Sequence, residues 1–281
     1  TAKIFEIRLE VFPHGIVKLC RCTVFKNIAQ FNVLLSALPS SDTAHVLSKI
    51  NRYYDCFIPA ENVIRTSLEN IGAIFHPCVL LFNAATIERQ HEFWFYRDMT
   101  PQIADFIERF DAERLAVGRA YGIELLGVRD WISFAYPDTV GETLCEKMKN
   151  NPAYRDIKSP STIFTRQLTE DIPTGVLPML ELGRAAGLEM PLMNAMVDMC
   201  SALLDMDFRK GRSLDALGLA GLSIERIIKY LSRVFFNFFL SFFSLNSLPL
   251  MYSLYHILGG LSRGFFTFLK VFFNPWATAL P

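Results

Sequence analysis

Two segments of this chain hold the side chains best suited to moving a proton and gripping a carboxylate. Residues 67–77 (SLENIGAIFHP) contain His76, set between an aromatic residue and a proline, and residues 165–173 (TRQLTEDIP) contain Arg166 and Asp171. Imidazole is the side chain whose charge ordinarily changes near neutral pH. A carboxylate beside it would fix its tautomer and stabilise the imidazolium, and a guanidinium would clamp a planar carboxylate bidentately. Together they suit acid–base chemistry at a carbonyl that neighbours a carboxylate, as in an α-keto acid. Taken singly, each has a plainer reading. A histidine at the end of an apolar run is most often a core residue with satisfied nitrogens. Thr169 or Asp171 before Ile172 and Pro173 resembles a helix cap, and Arg166 a surface cation.

The elements that must bring these side chains together fall into two kinds. Residues 1–60 read as alternating β and α. Stretches 4–12 and 16–25 mix β-branched and charged residues like half-buried strands, and 31–38 is an apolar run that suits a buried strand. The pattern over 41–54 predicts a helix capped by Ser41 or Asp42. After Pro59 the pattern turns helical. Residues 67–85 form a long apolar stretch interrupted by Pro77, and Thr100-Pro101 is a strong helix start with Gly122 as its stop. Residues 123–164 read as polar and loop-rich. Helices are predicted over 173–186 and 192–204, a short one over 211–222 ending at Gly218, and another capped by Ser223. The methionines at 193 and 196 recur at helical spacing and read as core.

Charge is balanced at 28 basic and 28 acidic residues, which argues against a nucleic-acid binder. The six cysteines (20, 22, 56, 78, 145, 200) lie in apolar surroundings without zinc-ligand spacing, so reduced thiols in a cytoplasmic protein and no metal are expected. The chain opens at Thr1 directly in strand-like sequence, which reads as a start inside a fold. From Val234 the composition breaks: eleven of the 25 phenylalanines fall between 234 and 274, where Arg263 and Lys270 are the only charges. Residues 234–255 are long enough to cross a bilayer, for which about 20 suffice. A segment foreign to the globular domain, a membrane anchor and a buried oligomerisation helix all fit this tail. Nothing in the sequence specifies an oligomeric state.

The segments SLENIGAIFHP, LLFNAATIE, FYRDMTPQIADFIERFDAERLAVGRAYG, TRQLTEDIPTGVLPMLELG and DFRKGRSLDALGLAGLSIE resemble the opine dehydrogenases, the octopine/nopaline dehydrogenase family, over about residues 30–228. The resemblance implies a mainly α fold, in which an all-helical catalytic and substrate domain (61–230) follows a partial Rossmann α/β domain (1–60), with the apolar helical tail at 231–281. It also implies NAD(P)H-dependent reductive condensation of an amino acid with an α-keto acid such as pyruvate. His76 would be the catalytic histidine and Asp171 its partner, Arg166 would hold the keto-acid carboxylate, and Asn70 would lie near the substrates or the nicotinamide.

The sequence departs from the family in one respect that bears on NAD or NADP. No G-x-G-x-x-G loop occurs in the 281 residues, and 1–60 match only the latter part of a Rossmann domain, so this chain is expected to bind NAD(P)H poorly and to expose a sheet edge. Two alternatives stand beside the leading reading: a non-catalytic or membrane-anchored protein that retains the helical domain, and a dehydrogenase of another 2-oxo or 2-hydroxy acid.

Overall fold

A computed structural model describes residues 16–19, 33–53 and 56–232. The strand expected over 4–12, most of that over 16–25, Cys20, Cys22 and the apolar tail lie outside them. A three-stranded sheet opens the described part: β1 (Ile16–Leu19), β2 (Val33–Leu38) and β3 (Phe57–Pro59), in the order β1-β2-β3. β1 runs antiparallel to β2, and β2 pairs in parallel with β3 through the register Val33↔Phe57 and Leu35↔Pro59. Helix α1 (Thr43–Ile50) provides the crossover that a parallel pair requires. Val33, Leu35, Leu47 and Phe57 form a small core beneath the sheet, so β2 is the buried strand that its composition predicts.

The helix expected over 41–54 is shorter. It is preceded by a 3-10 turn at Ser40–Asp42, and neither acid nor serine supplies the expected cap: the side chain of Asp42 caps nothing. Thr43 does the joining instead. Its hydroxyl accepts from the Ala37 amide at 3.1 Å and donates to the Ser40 carbonyl at 2.7 Å, which ties the turn to β2.

Nine helices of the described part share a separate, larger core. They are α2 (Val63–Leu68), α3 (Gly72–Phe82), α4 (Ala84–Glu88), α5 (Pro101–Ala120), α6 (Val128–Ala135), α7 (Leu144–Asn150), α9 (Leu177–Ala185), α10 (Pro191–Leu204) and α11 (Ile224–Ser232), with the single turn α8 (Arg166–Thr169) before α9. Helix α5 begins as its sequence predicts, with the Thr100 hydroxyl accepting from Ile103 N and Pro101 in the first turn, and it ends before Gly122 in the left-handed region. Helix α10 carries Met193 and Met196 into the core. Ser223 Oγ accepts from Arg226 N at the start of α11, as expected. No helix of the described residues is long and apolar enough to cross a membrane.

Three regions differ from the sequence expectation. Pro77 does not interrupt the apolar stretch, because α3 continues through it with Phe75, Cys78, Val79 and Leu80 all buried. Packing on nearly every face outweighs the loss of one N–H donor. His76 therefore sits in mid-helix and not at its end. Residues 123–164 hold α6 and α7, the latter opened by a capping box between Thr143 and Glu146. The stretch 211–222 is a series of turns. Gly218 and Gly221 lie at φ 69° and 72°, outside the right-handed helical region, and the Leu214 amide donates to the carboxylate of Glu181 on α9.

Candidate active site

His76 projects from α3 one turn beyond Gly72, on the same side of the helix. A Cβ at Gly72 would lie 3.1 Å from His76 Cε1, so the glycine leaves room for the imidazole. Asp171 lies where α8 gives way to a π-helical turn at Ile172–Val176, an irregularity frequent at functional sites. The π turn packs closely against α3 because residue 175 has no side chain. A Cβ on Gly175 would lie 2.5 Å from Ala73 Cβ and 2.8 Å from Asn70 Nδ2. Behind it the 208–212 loop closes up, with Arg212 N donating to the Pro173 carbonyl at 2.8 Å.

This packing brings the two titratable candidates together. His76 Nδ1 lies 2.6 Å from Asp171 Oδ2 across 95 residues of chain. Asp171 makes no side-chain capping bond, so the imidazole and not a helix end is what its carboxylate serves. Thr169 likewise caps nothing, its hydroxyl donating to the Thr165 carbonyl. The dyad is neither dry nor fully open, with side-chain exposures of 21% for His76 and 18% for Asp171. Solvent or a ligand can therefore reach it.

A carboxylate only accepts, so Nδ1 is the nitrogen that carries hydrogen towards Asp171, and Nε2 is the nitrogen left for another partner. Tyr96 lies beside it, its hydroxyl 2.9 Å from Nε2. The sequence reading did not single out this tyrosine, which stands twenty residues from His76 in an aromatic stretch without a spacing signal. Its ring stacks on Tyr154 at 4.4 Å and meets Phe95 edge-on at 4.8 Å, while Phe95 meets the imidazole edge-on at 5.9 Å. Burial first, then Tyr136 and the charge of Asp171, push the Tyr96 phenol far above its ordinary pKa of 10. It stays protonated at any ordinary pH.

Asn70 is half-buried at the α2–α3 junction, with its side chain near Gly72 and Gly175, and no hydrogen bond of its side chain occurs among the described residues. Arg166 stands at the start of α8, the turn that packs on α3. Its side chain is exposed, and it forms no ion pair among the described residues. The geometry thus joins His76 to Asp171, places Asn70 on the same helix junction, and leaves Arg166 on an adjoining turn facing solvent. A shallow indentation lined by Arg184, Leu188, Glu189, Met190 and Asn194 lies at the α9–α10 turn and contains none of these four residues.

The arrangement of a helical domain beside a small α/β sheet is found in solved structures. Octopine dehydrogenase solved with NADH and L-arginine shares it at a TM-score of 0.57 and 15% identity, over 78% of this chain and 62% of that one. The same enzyme solved with NADH and pyruvate matches at 0.52 over the same shares. The model of the NAD/NADP octopine/nopaline dehydrogenase alpha-helical domain matches residues 59–204. The chain belongs to the octopine/nopaline dehydrogenase family. It is 38% identical over 194 residues to the opine dehydrogenase of Arthrobacter sp. strain 1C, covering 68% of this chain and 54% of that relative. It spans about half the length of the curated relatives it matches.

Proposed function

We propose that this chain supplies the substrate domain of an opine dehydrogenase, an oxidoreductase that condenses an amino acid with an α-keto acid and reduces the imine. The observation that carries the reading is the His76–Asp171 bond at 2.6 Å in a half-open site. A folded chain has little other reason to align a carboxylate with an imidazole from so distant a segment while leaving both reachable. Family membership supports the class of reaction, and the NADH, arginine and pyruvate named with octopine dehydrogenase support the substrate classes.

In this reading the imidazolium donates its Nε2 proton to the oxygen that leaves the adduct as water, and Asp171 stabilises the cation through Nδ1–H. Arg166, whose fork faces solvent, holds the keto-acid carboxylate. The side-chain amide of Asn70 offers a donor and an acceptor beside the same site. Tyr96, Phe95 and Tyr154 close the apolar wall behind the imidazole.

A nicotinamide cofactor supplies the hydride when bound. The residues in hand do not fit its pyrophosphate: no G-x-G-x-x-G motif occurs in the sequence, and β2 leads into α1 through Pro39, which has no N–H to offer. The reading divides the chain at about residue 60, supported by the separate small core under the sheet and by a family match that begins at 59. The free thiols Cys56, Cys78, Cys145 and Cys200 support a reducing, cytoplasmic setting.

The test joins this chain to a complete nucleotide-binding segment and follows loss of NADH absorbance with pyruvate and an amino acid. Consumption that needs both substrates and disappears in His76→Asn is the expected result. A joined protein that binds NADH yet reduces no pairing of keto acid and amine would sink the proposal. The unjoined chain is expected to bind NADH poorly, measured by fluorescence titration.

A further inference from the structure

We propose that Tyr96 is a positioning residue of this site: its hydroxyl holds Nε2 of His76, the nitrogen that delivers the proton, until a substrate oxygen takes that place. The inference rests on the proton-transfer reading above and adds a residue to it. Nδ1 is committed to Asp171 at 2.6 Å, so Nε2 is the remaining nitrogen, and the Tyr96 hydroxyl meets it at 2.9 Å. Among the described residues that hydroxyl has no other hydrogen-bond partner.

The ring of Tyr96 is packed on several sides. It lies between Tyr154, stacked at 4.4 Å with 22° between planes, and the edges of Phe95 and Phe75 at 4.8 and 6.2 Å. The backbone beside it is pinned by the Phe95 amide donating to Ile157 at 2.8 Å. Tyr154 is held in turn by Tyr136, its hydroxyl donating to that of Tyr136 at 3.3 Å.

A phenol that keeps its proton is both donor and acceptor. It donates to Nε2 when His76 is neutral and accepts from Nε2–H when His76 is an imidazolium. The change needs only rotation of one hydrogen about the C–O bond, with no heavy atom displaced. Asp171 serves Nδ1–H in both states. His76 can therefore pass through a full proton cycle with its ring fixed, which a purely apolar wall would not allow without leaving Nε2 unsatisfied. At Nε2 an incoming substrate oxygen competes with a neutral hydroxyl and not with an anion.

Tyr96→Phe removes the hydroxyl and keeps the ring, so folding is checked by circular dichroism and melting temperature, and Tyr154→Phe serves as the neighbouring control. The first readout is the 15N spectrum of the histidine-labelled full chain, with His76 assigned from the loss of its signals in His76→Asn. In neutral imidazole the Nε2 signal of Tyr96→Phe is expected to move towards that of an unbonded imine nitrogen, while Tyr154→Phe leaves it in place. The second readout is turnover in the joined enzyme. Tyr96→Phe should lower kcat about tenfold or more, the size lost when a partner that orients a functional histidine is removed, with KM for the keto acid changed less. An unmoved Nε2 signal, or a moved one with undiminished kcat, overturns the proposal. A fully active His76→Asn enzyme would instead overturn the proton-transfer reading, and the nitrogen signal would still report whether Tyr96 holds the ring.

Discussion

Two short contacts between a base and a carboxylate, nearly equal in length, do different work. Arg114 Nε lies 2.5 Å from Asp111 Oδ1, and His76 Nδ1 lies 2.6 Å from Asp171 Oδ2. The first pair is made within one helix and is dry, with side-chain exposures of 0% and 2%. Each nitrogen of its guanidinium and each oxygen of its carboxylate has a partner: Arg114 also donates to the carbonyls of Leu68 and Leu126, and Asp111 accepts from Val128 N. It bolts α2, α5 and α6 together. The second pair joins distant segments, keeps part of each partner in reach of solvent, and has one nitrogen held only by a neutral hydroxyl. A short distance between base and carboxylate does not define a site. What separates the two is whether any hydrogen-bonding capacity is left for a ligand.

The sharpest way to break that contrast is to remove one partner of each pair and measure stability and turnover on the same protein. Arg114→Leu strands a buried carboxylate and should cost about 3–5 kcal/mol in urea denaturation. A loss within experimental error would show that the bolt is not one. His76→Asn should behave in the opposite manner, with stability little changed and turnover of the joined enzyme down by about 10²–10⁴. Equal losses of stability in the two variants would erase the distinction.

Gly175→Ala tests how the open pair is held. The added methyl would meet Ala73 Cβ at 2.5 Å and Asn70 Nδ2 at 2.8 Å, so overpacking should cost about 1–3 kcal/mol. Because Asp171 precedes the same π turn, turnover should fall as well, unlike in a surface Gly→Ala variant.

The smallest expected effect lies beside the bolt, at Glu69. Burial raises its pKa above the ordinary 4.5, opposed by the charges of Arg114 and Arg65, the latter 3.0 Å away. An acid whose folded pKa is raised binds its proton more tightly when folded. Its contribution to stability is greatest below 4.5 and declines as pH rises from there through the folded value. Denaturation curves of wild type and Glu69→Gln at several pH values should diverge against the wild type across that window. A difference that does not change with pH would contradict the assignment.

Much of the helical frame is legible without coordinates because its signals are local. The Thr100-Pro101 start, Gly122 as a stop and Ser223 as a cap each act within one turn of chain, where side chain and backbone are neighbours by necessity. Helix α7 was equally readable, since Thr143 and Glu146 spell a capping box that the polar look of 123–164 conceals. Pro77 and the 211–222 turns depart from local rules for the opposite reason. Burial on nearly all sides of α3 overrides a helix-breaking residue, and Glu181 on another helix captures the amide where a helix would have started. The family motifs point to His76, Asp171, Arg166 and Asn70. Tyr96 gave no such signal, because an aromatic residue in an aromatic stretch looks like core until a nitrogen is found beside its hydroxyl.

By itself the sequence determined which functional groups the protein owns, where α5 begins and ends, where α11 begins, and the family to which the chain belongs. These follow from side-chain chemistry and from interactions within a few residues. Only the tertiary structure decided that Nδ1 faces Asp171, that Nε2 faces Tyr96, and that the pair near Arg114 is closed while the pair at His76 is open. The physical reason is that a hydrogen bond needs atoms about 3 Å apart and suitably oriented. For residues 95 positions apart, that separation is set by how closely α3 and the π turn pack, which here depends on a glycine having no side chain.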